Sequence, residues 1–73
     1  MSFQAYLDNI EAKTGQNPDQ FRRWGMDKGF STETGLAAGV RAGVIVAALK
    51  DEFGLGHGHA MAIVALLKGA KSS

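Results

Sequence analysis

Residues 60–67 read A-M-A-I-V-A-L-L, an apolar run that leaves no polar side chain on any face of a helix. Such a helix has to be wrapped by its own chain or pressed against another molecule. A chain of 73 residues holds material for one core only, so the other segments must be arranged around this rod. The run is also far shorter than the roughly 20 apolar residues of a membrane span. A soluble domain without membrane contact is therefore expected.

The remaining segments supply three helices. Phe3, Tyr6, Leu7 and Ile10 follow Ser2 at the spacing of one helical face, with Ser2 as the expected N-cap and Gly15 as the stop. Asn17-Pro18-Asp19-Gln20 is a helix start: Asn17 caps, Pro18 needs no N–H donor at the first position, and Asp19 suits the positive dipole end. Phe21, Trp24 and Lys28 share a face of this second helix, which Gly29 ends. The third helix is expected over Ala42–Phe53, with Ala42, Ile45, Val46, Leu49 and Phe53 as its buried stripe. The fourth runs from about Gly58 to Lys68.

Gly35, Gly39 and Gly43 recur every fourth residue. In a helix they would form a smooth strip, but each interior glycine costs roughly 1 kcal/mol against alanine. Ser31–Gly35 is accordingly read as loop and Leu36–Val40 as a weak helical turn. No strand pattern competes.

Between helices three and four lies G-L-G-H-G-H-A, Gly54 to Ala60. As plain structure, Gly54 is the left-handed residue after Phe53, Leu55 folds back onto the third helix, and His57 or His59 caps the fourth. That accounts for the glycines but not for two histidines. A first functional reading is anion binding. Helix N-terminal amides, with Gly54, Gly56 and Gly58 allowing close approach and Lys50, His57 and His59 nearby, suit a phosphate or carboxylate. The spacing is neither a Walker loop nor a dinucleotide fingerprint, since no Gly-Lys-Ser/Thr follows and no βαβ unit is present.

Two further readings are weaker. His57-x-His59 offers two metal ligands, with Asp51 or Glu52 as a neighbouring carboxylate, but nothing fixes a third, and no metal or other cofactor is expected. The string A-L-K-D-E-F-G-L-G-H-G-H-A-M-A-I resembles a helix-hairpin-helix motif, in which the amides of a Gly-apolar-Gly turn hold a nucleic-acid phosphate. Gly54-Leu55-Gly56, Ala60 and Ile63 occupy its places. His57 and Gly58 replace the proline and lysine often found there.

Composition narrows the classes further. The net charge is +1, which builds no polyanion-binding surface. Its small excess lies in residues 41–73, where Arg41, Lys50, Lys68 and Lys71 face only Asp51 and Glu52. There is no cysteine, which suits a cytoplasmic setting. The start M-S-F-Q-A-Y-L-D has neither the basic nor the long apolar region of a signal peptide. Catalysis is not expected: a histidine base needs a nucleophile or carboxylate held beside it, and so small a core leaves little room for a cleft.

The opening M-S-F-Q-A-Y-L-D-N-I-E-A-K-T-G, the middle A-G-V-I-V-A-A-L-K and the end F-G-L-G-H-G-H-A-M-A-I together resemble a small prokaryotic family, a domain of unknown function numbered 4287 in its series. The likeness extends to about Gly69. It implies a compact helical domain and no particular activity. It also implies tryptophan where this chain has Ala48, so this third helix carries a smaller side chain there.

The expectation is an all-α domain over 1–69, a compact bundle of four short helices with a glycine-rich turn between the third and fourth, and a frayed tail at 70–73. Its core is drawn from Phe3, Tyr6, Leu7, Ile10, Phe21, Trp24, Ile45, Val46, Leu49, Phe53, Ile63, Val64 and Leu67. The function expected is a non-enzymatic binding module. It would use the Gly54–Ala60 corner, together with Met61 and Leu66 as the open face of the fourth helix. A protein partner or a second copy is the expected ligand, and helix-hairpin-helix binding of nucleic acid is the alternative.

Overall fold

Capping chemistry sets the first boundaries. In the computed structural model, which describes residues 3–69, α1 spans Phe3–Thr14 and α2 spans Pro18–Asp27. The Ser2 cap and the 70–73 tail lie outside the described residues. At the start of α2 the Gln20 amide donates to Asn17 Oδ1 at 2.8 Å, and the Asn17 amide donates back to Gln20 Oε1 at 2.7 Å. This is a capping box: two otherwise orphaned donors are satisfied by one pair of side chains.

The end of α2 sets the direction of the next segment. The Gly29 amide donates to the Met26 carbonyl at 3.0 Å and the Phe30 amide to the Gly25 carbonyl at 2.8 Å, with Gly29 left-handed at φ 78. These are the paired bonds of a Schellman motif, and its apolar contact is present too. Phe30 returns to Trp24, their ring centroids 5.5 Å apart. The chain is thus turned back along α2 and enters a short hairpin, β1 (Ser31–Thr32) and β2 (Gly35–Leu36), paired antiparallel with Ser31 opposite Leu36. Thr32 Oγ1 accepts from the Thr34 amide at 3.2 Å and steadies the two-residue turn.

The hairpin corrects two expectations. Ser31–Gly35 is not plain loop, and Leu36–Val40 contains no helical turn. Leu36 pairs in β2, the Ala37 amide donates to the Phe30 carbonyl at 3.0 Å, and Gly39 is left-handed at φ 80. Strands of two residues carry no periodicity that a sequence pattern could reveal.

Helix α3 spans Ala42–Phe53 and α4 spans His57–Leu67. Each of α1, α2 and α3 packs against α4, as the apolar run requires. Its Ala60, Ala62, Ile63, Val64, Leu66 and Leu67 are buried with Leu7, Ile10, Phe21, Ile45, Val46, Leu49 and Leu55. Phe3, Tyr6, Trp24 and Phe53 are partly buried at the core's margin rather than inside it. The α2–α3 junction is aromatic. Phe53 meets Phe21 and Trp24 edge-on at 5.1 and 5.7 Å, and Trp24 Nε1 donates to Glu52 Oε1 at 3.2 Å.

Candidate functional site

At the third corner, Gly54 takes the left-handed conformation at φ 66 and its amide donates to the Lys50 carbonyl at 3.1 Å. Leu55 turns inward and is buried. Helix α4 then starts after Gly56, which is its N-cap and supplies no side-chain cap. The first internal bond runs from the Ala60 amide to the Gly56 carbonyl at 2.9 Å. The amides of His57, Gly58 and His59 precede it and have no acceptor within the helix. They lie at the positive end of the helix dipole.

The two histidines diverge. Being two residues apart on a helix, they do not face each other. His59 is half-buried and meets Tyr6 edge-on, with ring centroids 5.4 Å apart. His57 is exposed and shares its side of α4 with Met61, four residues on and also exposed. Neither imidazole caps α4, contrary to expectation, because Gly56 holds the cap position ahead of them both. Among the described residues no three His, Cys, Asp or Glu side chains gather into a possible metal set. Lys50 is exposed in the last turn of α3, on the same end of the helix pair as the corner.

Leu66 is corrected as a surface residue. It is 1% exposed, because the α2–hairpin unit covers the side of α4 that the apolar run leaves unassigned. With Leu67 and Met26 it lines a cleft of about 250 Å³ at the far end of α4, whose wall also includes Arg22, Ser31, Thr32 and Glu33. No sequence signal marks this cleft, since its lining comes from α2, the hairpin and the end of α4. Its volume falls below the ~300–1,000 Å³ usual for small-molecule sites. Arg22 is also held by Asp19 at 2.9 Å.

Among the described residues one ionisable group departs from its ordinary value. The Trp24 indole N–H and the Lys28 ammonium, 3.1 Å from Oε2, hold the Glu52 carboxyl below the usual carboxylate range. This group ties α2 to α3 and lies outside the corner.

The glycines of the corner differ in what the fold asks of them. Gly54 needs its left-handed backbone. Gly56 and Gly58 have no positive φ. A Cβ built at Gly56 would meet nothing within 4 Å, and one at Gly58 only Tyr6 Cε1 at 4.0 Å. Packing therefore does not require glycine at either position.

Three helices around an apolar fourth, with an uncapped helix start at one corner, define a small, mostly α-helical domain. The chain belongs to the family described as Domain of unknown function (DUF4287), whose model matches residues 2–69. No curated protein and no solved structure matches the chain. No helix among the described residues is long and apolar enough to cross a membrane.

Proposed function

We propose that this domain is a non-enzymatic, cytoplasmic binding module that takes a phosphate or carboxylate group of a protein partner at the start of α4. The observation that supports this is the pair of glycines the fold does not need. Glycine at position 58, inside the first turn, forgoes about 0.5–1 kcal/mol against alanine, while at the N-cap position 56 glycine falls only about a few tenths of a kcal/mol short of serine or aspartate. What Gly56 and Gly58 provide instead is bare backbone around three unbonded amides, where an anion can approach closely. His57 and Lys50 add donors at the rim, and Met61 adds an apolar contact beside His57.

Gly58→Ala separates this role from a structural one. The variant keeps or gains thermal stability, while the amide shifts of residues 57–59 on titration with inorganic phosphate, read by NMR, shrink. Titration curves of the parent chain that stay flat would overturn the proposal.

A second reading takes the same turn as a helix-hairpin-helix contact to nucleic acid. It is supported by the left-handed Gly54 and the buried Leu55, which form a tight Gly-apolar-Gly reversal between two packed helices. It requires a duplex or single strand to shift in mobility at low salt and release as salt rises. No shift at low salt removes it.

A further inference from the structure

We infer that the outward face of α3 is a self-association surface, on which a second copy of this chain lies antiparallel. Ile45, Val46 and Leu49 point into the core. On the opposite side Val44 is 53% exposed, Gly43 and Ala47 are exposed, and Ala48 is half-buried. At about 100° per residue, Val44, Ala48 and Asp51 fall within about 60° of one another, with Ala47 alongside. Between Arg41 and Asp51 the one charged residue is the exposed Lys50, which lies about 120° round the helix from Val44 and so borders this face on the Gly43 and Ala47 side. Arg41 and Asp51 are both exposed, and neither joins an ion pair among the described residues.

The charges select the occupant and its direction. Arg41 and Asp51 are ten residues apart, about 15 Å along the axis. A two-fold axis at the level of Val46 sets Val44 opposite Ala48 of the second copy, and Arg41 opposite its Asp51, twice. A parallel pairing would set Arg41 on Arg41 and Asp51 on Asp51. The antiparallel arrangement is self-complementary, as a two-fold interface must be, and it also opposes the helix dipoles. Small side chains let the axes approach to about 8 Å. A single helix face of this length buries less than the ~800 Å² per partner of a standard interface, so the dimer is weak and depends on concentration. This face is distinct from the α4 corner, and the inference stands without it.

Sedimentation equilibrium over a concentration series reaching ~1 mM tests it. The apparent mass of the parent chain rises from one chain towards two. Arg41→Asp and Asp51→Arg each weaken association about tenfold or more, and an equimolar mixture of the two variants restores it, because each supplies the charge the other lacks. Thermal midpoints of both variants stay at or above the parent's, since Arg41 is the N-cap of α3 without a side-chain cap bond and Asp51 lies in its last turn, so each reversal suits the helix end it sits on. A parent chain that stays monomeric throughout overturns the inference. So does association that the single reversals leave unchanged, or a mixture that associates no better than its components.

Discussion

Gly25 is the glycine whose replacement the packing forbids most directly. It is buried in α2, and a Cβ built there would lie 2.6 Å from Ser31 Oγ and 2.9 and 3.0 Å from the two δ-methyls of Leu67. All three distances are shorter than van der Waals contact, and they come from two different elements. Ser31 is 7% exposed and held by its pairing with Leu36, while Leu67 is 4% exposed. The Phe30-to-Gly25 bond at 2.8 Å keeps the hairpin close. Both neighbours are side chains on the wall of the cleft, so each gives way only by changing rotamer within the seam between α2, β1 and α4.

Gly25→Ala sets two effects against each other. Overpacking a filled core costs about 1–3 kcal/mol, while alanine in a helix interior recovers about 1 kcal/mol over glycine. Three simultaneous close contacts place the overpacking in the upper part of its range, so the net loss is about 1–2 kcal/mol. Against a total stability of about 4–11 kcal/mol for this length, that lowers the thermal midpoint by about 4–16 °C. Far-UV circular dichroism on heating measures it. Gly43→Ala is the control: its φ is ordinary and its Cβ meets nothing within 4 Å, so it holds or raises the midpoint. Adding Ser31→Ala to Gly25→Ala removes the nearest atom and recovers part of the loss. A Gly25→Ala midpoint equal to or above the parent's would refute the reasoning.

Other outcomes rest on the same geometry. Leu66→Ala costs about 2–5 kcal/mol because it opens a cavity beneath the cleft, whereas Met61→Ala, at a side chain 39% exposed, changes stability by less than about 1 kcal/mol; urea unfolding separates them. Gly54→Ala forces a left-handed alanine and costs about 1–2 kcal/mol, read from the same urea curves. Glu52 gives an acid limb. Its carboxyl is held low in the folded state, first by Trp24 and then by Lys28, so its contribution is complete above the unfolded value of 4.5 and fades as pH falls through the lower folded value. The stability gap between the parent and Glu52→Gln therefore narrows below pH 4.5, and a gap that widens there contradicts the assignment.

Much of the fold is legible in the sequence because its signals are local. Asn17-Pro18-Asp19-Gln20 marks a helix start through atoms within four residues, and the 3.6-residue stripe of α3 picks out Ile45, Val46 and Leu49 as its buried face. The all-apolar stretch of α4 demands a central position, and it holds one. It cannot say which side stays open, because that depends on where α2 and the hairpin land. Leu66 and Met61 are therefore alike as letters, yet of the two Met61 alone is exposed. The hairpin escapes a sequence reading for the same reason. Its pairing is fixed by the Schellman turn at Gly29 and by the close approach of Ser31 to Gly25, neither of which leaves a repeat in the sequence.

The glycines show where reading by residue type stops. Gly54, Gly25 and Gly58 are the same letter in three unlike situations. At Gly54 the backbone itself is left-handed, and position after a helical stripe is enough to anticipate that. At Gly25 the backbone is ordinary helix, and glycine is required because Ser31 and Leu67 occupy the space of a side chain. That demand arises only when residues 25, 31 and 67 meet. At Gly58 neither demand exists: the dihedral is ordinary and the nearest atom to a Cβ is a ring carbon at 4.0 Å. A fold selected for stability alone would fill such a position, since alanine there adds helix stability at no steric cost. The candidate site is thus defined by subtraction. Once backbone and packing have claimed their glycines, Gly56 and Gly58 are the two left in the corner, and they flank the amides that an anion would use.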